Sequence, residues 1–279
     1  MKCRPFKVVT LCLLSFLGTM AIDAKVGHAG EAVRIGGTGM GLAAMRLLGE
    51  DLQQQHPDVS VQVLPSLGTP GGIEALADGA IDIAIASRPL KPPERDKGVR
   101  EASCMTTAMV FVSSHPRPGG IELLRIPELY SNPSPTWPDG TPLKIILRSR
   151  TGSEHPYLIQ AIPGMEKALE AAFARPGIPV GATDQENVDL AQHVPGSLSV
   201  ATLMQIAAER PGVRMLALDG VQPTVDTVED GSYPFPLRVC LLLPTKPSPD
   251  AVRFIAFANS EEGRQRLRRF GAVLSENPK

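Results

Sequence analysis

Long apolar runs are scarce in this 279-residue chain. The longest, Val8 to Leu17, is ten residues, half of the roughly 20 that a membrane-spanning helix needs. It follows the basic residues Lys2, Arg4 and Lys7, and small residues lead from it to Gly27-His28-Ala29. A short basic region, an apolar core and small residues at a cut are the layout of a secretory signal. Cleavage is expected after Ala29, with a cut after Ala24 as the alternative. A buried N-terminal helix is the competing reading. Cys12 lies inside the apolar core without small residues just before it, so no lipid anchor is read. The expected location of the mature chain is the periplasm.

Net charge is nearly absent as well. It is −1 for the whole chain, and 24 basic against 28 acidic residues remain after Ala29. Bulk attraction to nucleic acid or to an anionic membrane is thereby excluded, and any anion site must be local. Cysteine is sparse: beyond the leader only Cys104 and Cys240 remain, both in apolar strands. An oxidising compartment allows a disulfide, but two buried free thiols are the preferred reading. His56, His115, His155 and His193 stand apart, with no close His/Cys ligand pair. No metal and no cofactor is expected.

Several signatures are missing. The loop from Gly36 to Gly41 is not G-x-G-x-x-G, because Leu42 takes the last position in the frame from Gly37. There is no GKS or GKT, hence no Walker loop. There is no G-x-S-x-G, and nothing local selects one serine–histidine–acid trio. The chain reads as a binder, not an enzyme.

What is present is alternation. Glu31–Gly36, Val59–Leu64 and Ile81–Ala86 read as strands, with helices over 40–55 and 72–78 between them. Leu42, Met45, Leu48 and Leu52 share one helical face. This βαβαβ opening predicts an α/β sheet. A strand over 107–113 leads to a breaker-rich stretch, His115 to Gly120, and a second alternation. A helical piece over 122–130 precedes a proline-dense loop, a strand over 143–147 and a helix over 166–174. Strands over 196–200 and 214–218 flank a helix over 202–209, and Leu237–Leu243 is a buried strand. Two helices close the chain, the last carrying Arg264, Arg266, Arg268 and Arg269 on what reads as a solvated face. The roughly 250 mature residues suffice for one large core or two lobes.

Three loops leave strands and enter helices. They are Gly36–Gly41, Ser66–Gly72 and Arg148–Ser153. Glycine lets an anion approach the backbone, free N–H groups at a helix start point at one spot, and Ser or Thr adds a donor. Arg148 or Arg150 can supply a planar fork. Any one of these loops is usually turn chemistry; three across two alternations point to an anion.

At these loops the sequence resembles the phosphate-binding PstS-like substrate-binding proteins of bacterial ABC importers. GTPGGIEAL at 68–76 and DGAIDIAIASRPL at 78–90 resemble the glycine-rich loop, short helix and serine-ended strand of that family. ILRSRTGSE at 146–154 resembles its second-lobe arginine loop, and DGSYPFPLRVCLLLP at 230–244 its returning hinge strand. The closing helix pair from Phe254 to Val273 is less specific. The resemblance implies a type 2 periplasmic-binding-protein fold, with two α/β lobes, a cleft between them and two crossing strands. The lobes would be residues 30–113 with 240–279, and 114–239. It implies ligand contacts from Thr38, Gly39, Met40, Thr69, Gly71 and Ser87 in the first lobe. Arg148 or Arg150, with Thr151, Gly152 and Ser153, would serve from the second. Arg88 stands where many relatives carry an acid that accepts a proton from hydrogenphosphate, which makes the site more cationic. Asp82 is expected to face structural partners.

The implied role is capture of phosphate or a similar oxyanion by a monomer that serves an ABC permease. A sensing or presenting module of the same fold is the alternative, and a secreted phosphoester hydrolase comes third. The strands over 107–113 and 237–243 should lie side by side, bringing Cys104 and Cys240 into one region.

Overall fold

The computed structural model describes residues 31–275; the leader and its cut lie outside the described residues. The first alternation is β1 (Val33–Gly37), α1 (Leu42–Gln55), β2 (Val61–Val63), α2 (Gly68–Ala77) and β3 (Ile83–Ala86). A short α3 (Pro92–Arg95) leads into β4 (Val99–Ser113), twice the length read from sequence. Next come β5 (Gly120–Ile121), α4 (Ile126–Ser131), β6 (Lys144–Ile145) and β7 (Leu147–Arg148). The expected single strand over 143–147 is thus two pieces, which pair with different partners.

Then follow α5 (Glu154–Ala161), α6 (Met165–Phe173), β8 (Val180–Gly181), α7 (Asp184–His193), β9 (Ser197–Thr202) and α8 (Leu203–Glu209). The remainder is β10 (Arg214–Met215), β11 (Ala217–Leu218), α9 (Val225–Glu229), β12 (Pro236–Pro244), α10 (Pro249–Asn259), α11 (Glu261–Arg269) and β13 (Val273–Leu274). Neither α5 nor α7 is legible from apolar period alone. Among the described residues, no helix is long and apolar enough to cross a membrane.

The main sheet runs β2-β1-β3-β12-β4-β9-β6, with β10 and β13 also on β4. Parallel pairing of β1 with β2 and β3 gives the first lobe its α/β character. The apolar stripe of α1 does what its spacing predicts: Leu42, Met45, Leu48 and Leu52 are all buried. The passage between lobes is made by β4. Its stretch from Val99 to Ala108 lies against β12, and Met109 to Val112 then lies against β9. The expected side-by-side hinge strands are present, with Leu237 opposite Thr107.

That register corrects the reading of the cysteines. Cys240 is directly opposite Cys104, with Cα atoms 4.0 Å apart, and the two form a disulfide. Both thiol positions are buried, as two free thiols would be. A facing cross-strand pair, however, brings two Cβ atoms close enough to bond, and burial alone does not reveal it.

On α11, Arg264 and Arg269 are exposed as expected of a solvated face, whereas Arg266 and Arg268 are half-buried in ion pairs. Arg266 reaches Asp51 of α1 at 2.6 Å, and Arg268 reaches Asp226 of α9 at 3.2 Å. Such partly exposed pairs contribute about 0–1 kcal/mol each, and here they brace three helices. Asp82 pairs with Arg34 of the neighbouring strand at 3.0 Å.

Candidate functional site

The first glycine loop follows β1. Gly37 has φ 120°, and a Cβ there would stand 2.7 Å from the backbone nitrogen of Ile85, so only glycine fits. The Thr38 N–H donates to the Ile85 carbonyl, and the Thr38 hydroxyl lies 3.4 Å from Oδ2 of Asp184. The Gly39 carbonyl accepts from Nε2 of Gln185 at 2.9 Å, and the Met40 carbonyl accepts from the Thr202 hydroxyl at 2.9 Å. A Cβ on Gly39 would come within 2.7 Å of the Asp184 carboxylate. Thr38, Gly39 and Met40 are buried beneath the start of α7.

Arg148 is in the same knot. Its Nε donates to Oδ1 of Asp184 at 3.1 Å, and its Nη1 donates to the Gly181 carbonyl at 2.9 Å. A second acid, Glu154, lies 4.0 Å from the Arg148 Nε. Glu154 is buried, and neither carboxylate oxygen has a hydrogen-bond partner among the described residues. With Tyr130, His155 and Asn187 it borders a small space of about 10 Å³, on the scale of one water. Burial pushes the Glu154 carboxyl up to about 7; Arg148 opposes the shift and Asp184 adds to it. Burial moves His155 the other way, down to about 4, against the hydrogen bond that its ring donates to the Arg150 backbone. The Arg148 fork is therefore engaged by protein groups, and its charge is already met by Asp184.

The second and third loops meet elsewhere. Thr69 lies in the first turn of α2, and its buried hydroxyl accepts from the Ser87 N–H at 3.1 Å. The Ser87 hydroxyl is 3.1 Å from that of Thr69 and 2.9 Å from that of Ser153, across the two lobes. Beside this hydroxyl relay opens a cavity of about 470 Å³. Its first-lobe wall includes Ser87, Arg88 and Lys91; its second-lobe wall includes Arg150, Thr151, Gly152, Ser153 and Tyr157. Leu237 and Arg238 of the crossing strand β12 complete it. No carboxylate is among the described residues that line it.

Two of its four cations are paired. Arg88 holds Glu94 through two hydrogen bonds, 2.8 and 2.6 Å, and keeps that carboxyl below the usual range. Arg238 pairs with Glu101 at 3.0 Å. Arg150 lies over the Phe173 ring, 4.2 Å from its centroid, an arrangement that keeps its charge available. Among the described residues, Arg150 and Lys91 make no ion pair.

The residues named from sequence therefore fall into two groups. Ser87, Arg88, Arg150, Thr151, Gly152 and Ser153 meet at the cleft, with Thr69 just behind them. Thr38, Gly39, Met40 and Arg148 meet at the buried knot. Gly71 lies in the first turn of α2, away from the cavity wall. Sequence reading missed Asp184, Glu154, Lys91, Tyr157 and Arg238. One signal could have found Asp184: Thr183-Asp184-Gln185-Glu186 has the spacing of a helix cap. The Thr183 hydroxyl does accept from the Glu186 N–H at 3.1 Å.

Residues 24–262 match the PBP superfamily domain. The chain belongs to the PBP superfamily. Solved structures agree on the fold. A protein described as a phosphate ABC transporter substrate-binding protein from Clostridium perfringens, solved with bound phosphate, is 19% identical. The match covers 88% of this chain and 100% of that one, with a TM-score of 0.73. The ABC-type phosphate transport receptor from Vibrio cholerae is 18% identical over 87% of this chain and 100% of that one, at 0.57. The periplasmic molybdate-binding protein of Azotobacter vinelandii is 12% identical over 88% and 100%, at 0.58. No curated protein matches this sequence. The PBP fold accounts for the geometry described: α/β lobes, two crossing strands and a cleft between them.

Proposed function

We propose that this protein is an exported, non-enzymatic solute-binding protein that captures a phosphoryl-type oxyanion in the interlobe cleft and delivers it to the permease of an ABC importer. The observation that carries the reading is the cleft wall: four cations and the hydroxyls of Ser87, Thr151, Ser153 and Tyr157, with no carboxylate among its described residues. A desolvated anion needs counter-charge and many donors, and this wall supplies both. The phosphate transport proteins of the same fold support phosphate as the first anion to try. The lobes are taken as residues 30–113 with 240–279, and 114–239; β4 leaves β12 for β9 at Met109 and β12 begins at Pro236, each a few residues before these boundaries. The disulfide supports export, because such bonds persist in oxidising compartments. Ser87, Arg150, Thr151 and Ser153 are the direct ligands in this reading, and Thr69 orients Ser87.

A ligand held by both lobes stabilises the native state by mass action. At phosphate a hundredfold above its Kd the gain is about 2.7 kcal/mol, which for a chain of this size raises the melting temperature by roughly 5–10 °C. Differential scanning fluorimetry in phosphate against equal ionic strength of chloride checks this. An identical melting temperature in both would contradict the reading.

A further inference from the structure

The cleft is larger and less uniformly polar than a bare tetrahedral anion needs. A five-atom oxyanion displaces about three waters, roughly 100 Å³ of liquid, whereas the cavity offers about 470 Å³. That volume lies in the range of small organic ligands. The unpaired cations are Lys91 and Arg150, and the Arg88–Glu94 and Arg238–Glu101 pairs are each neutral. The remaining charge on the wall is +2, the complement of one dianion. The wall also carries apolar surface from Pro70, Pro89, Pro156 and Leu237, together with the Tyr157 ring and the Gln160 amide. Tyr157 is itself stacked on Phe235, with centroids 4.9 Å apart, so its ring is a fixed surface. Arg148, the other arginine of the second-lobe loop, is buried against Asp184.

We infer that the preferred occupant is a monosubstituted phosphate or phosphonate: a dianionic headgroup among Ser87, Arg150, Ser153 and Lys91, with its organic substituent along Leu237, the prolines and Tyr157. This inference rests on the oxyanion-binding reading above and specifies its ligand class. The headgroup receives the charge, and the substituent fills space that inorganic phosphate leaves to water.

The test is titration calorimetry on the ligand-stripped mature chain with inorganic phosphate, glycerol 3-phosphate and phenylphosphonate. At least one organic anion should bind tenfold or more tightly than inorganic phosphate. Arg150→Gln and the exposed Lys91→Gln should each weaken it about tenfold. Gln160→Trp, which narrows the cavity, should weaken the organic anion more than it weakens inorganic phosphate. Inorganic phosphate binding as tightly as both organic anions would overturn the inference while sparing the oxyanion reading. No binding by any of the three would overturn both. Undiminished organic-anion binding in both charge variants would place the ligand outside this cleft and also overturn it.

Discussion

Replacing Arg148 with methionine should cost about 3–5 kcal/mol of folding stability, because it leaves Asp184 and Glu154 buried without their counter-charge. The effect should depend on pH, and its sign follows from proton binding. The folded-state pKa of Glu154 is raised from its ordinary value to about 7. The native state therefore holds a proton between about 4.5 and 7 that the unfolded chain releases, and stability from this group falls as pH rises through that window. His155 opposes it. Its folded pKa lies near 4, below its ordinary value of 6.5, so stability from this group falls as pH drops from about 6.5 towards 4. The wild-type slope between pH 4.5 and 6.5 should therefore be shallow.

Without Arg148 the Glu154 contribution grows, and the loss should be greater at pH 8 than at pH 5. With Glu154→Gln only the histidine contribution remains of the two, and stability should rise with pH up to about 6.5. Urea unfolding at pH 5 and pH 8 reads all three proteins. Should Arg148→Met fail to fold, the triple variant with Asp184→Asn and Glu154→Gln should recover folding, since no buried charge is left unpaired. An Arg148→Met protein as stable as wild type at pH 8 would contradict the buried knot.

Removing the disulfide should be the second large effect. Cys104 and Cys240 are separated by 136 residues, so the bond closes a long loop of the unfolded chain. Chain entropy alone gives about 5 kcal/mol for such a loop, and measured losses usually run about 2–5 kcal/mol. The Cys104→Ser/Cys240→Ser variant should melt roughly 5–15 °C lower, and a reductant should reproduce the shift in wild type but not in the variant. The bond also ties β4 to β12 beside the Arg238 wall of the cleft. An unchanged melting temperature in the double variant would contradict the bond's structural role.

Much of this architecture is legible in the residues. The period of Leu42, Met45, Leu48 and Leu52 specifies α1 and its buried face, and the short apolar strands of the first lobe follow from alternation. Glycine and hydroxyl residues between strand and helix mark where the chain can approach an anion. What was not legible depends on contacts distant in sequence. Thr38 and Asp184 are 146 positions apart, and Arg148 and Asp184 are 36 apart. Nothing local in ILRSRTGSE reveals that Arg148 turns inward while Arg150 faces the cleft. α5 escaped periodicity because His155 and Pro156 interrupt its opening turn, and α7 because its residues are mostly polar. Arg88 illustrates the same limit. Its cationic character is plain, but its pairing with Glu94 depends on the short α3 turning back.

In the proposed reading Ser87, Arg150 and Ser153 close over an oxyanion. Titration calorimetry of the ligand-stripped chain against phosphate, arsenate, sulfate, molybdate and a phosphate monoester, with Arg150→Gln alongside, tests it most directly. The wild type should show saturable one-site binding of a phosphoryl or closely related anion, and the variant at least tenfold weaker binding. No heat from any of these anions, with a correctly folded wild-type protein, would contradict it.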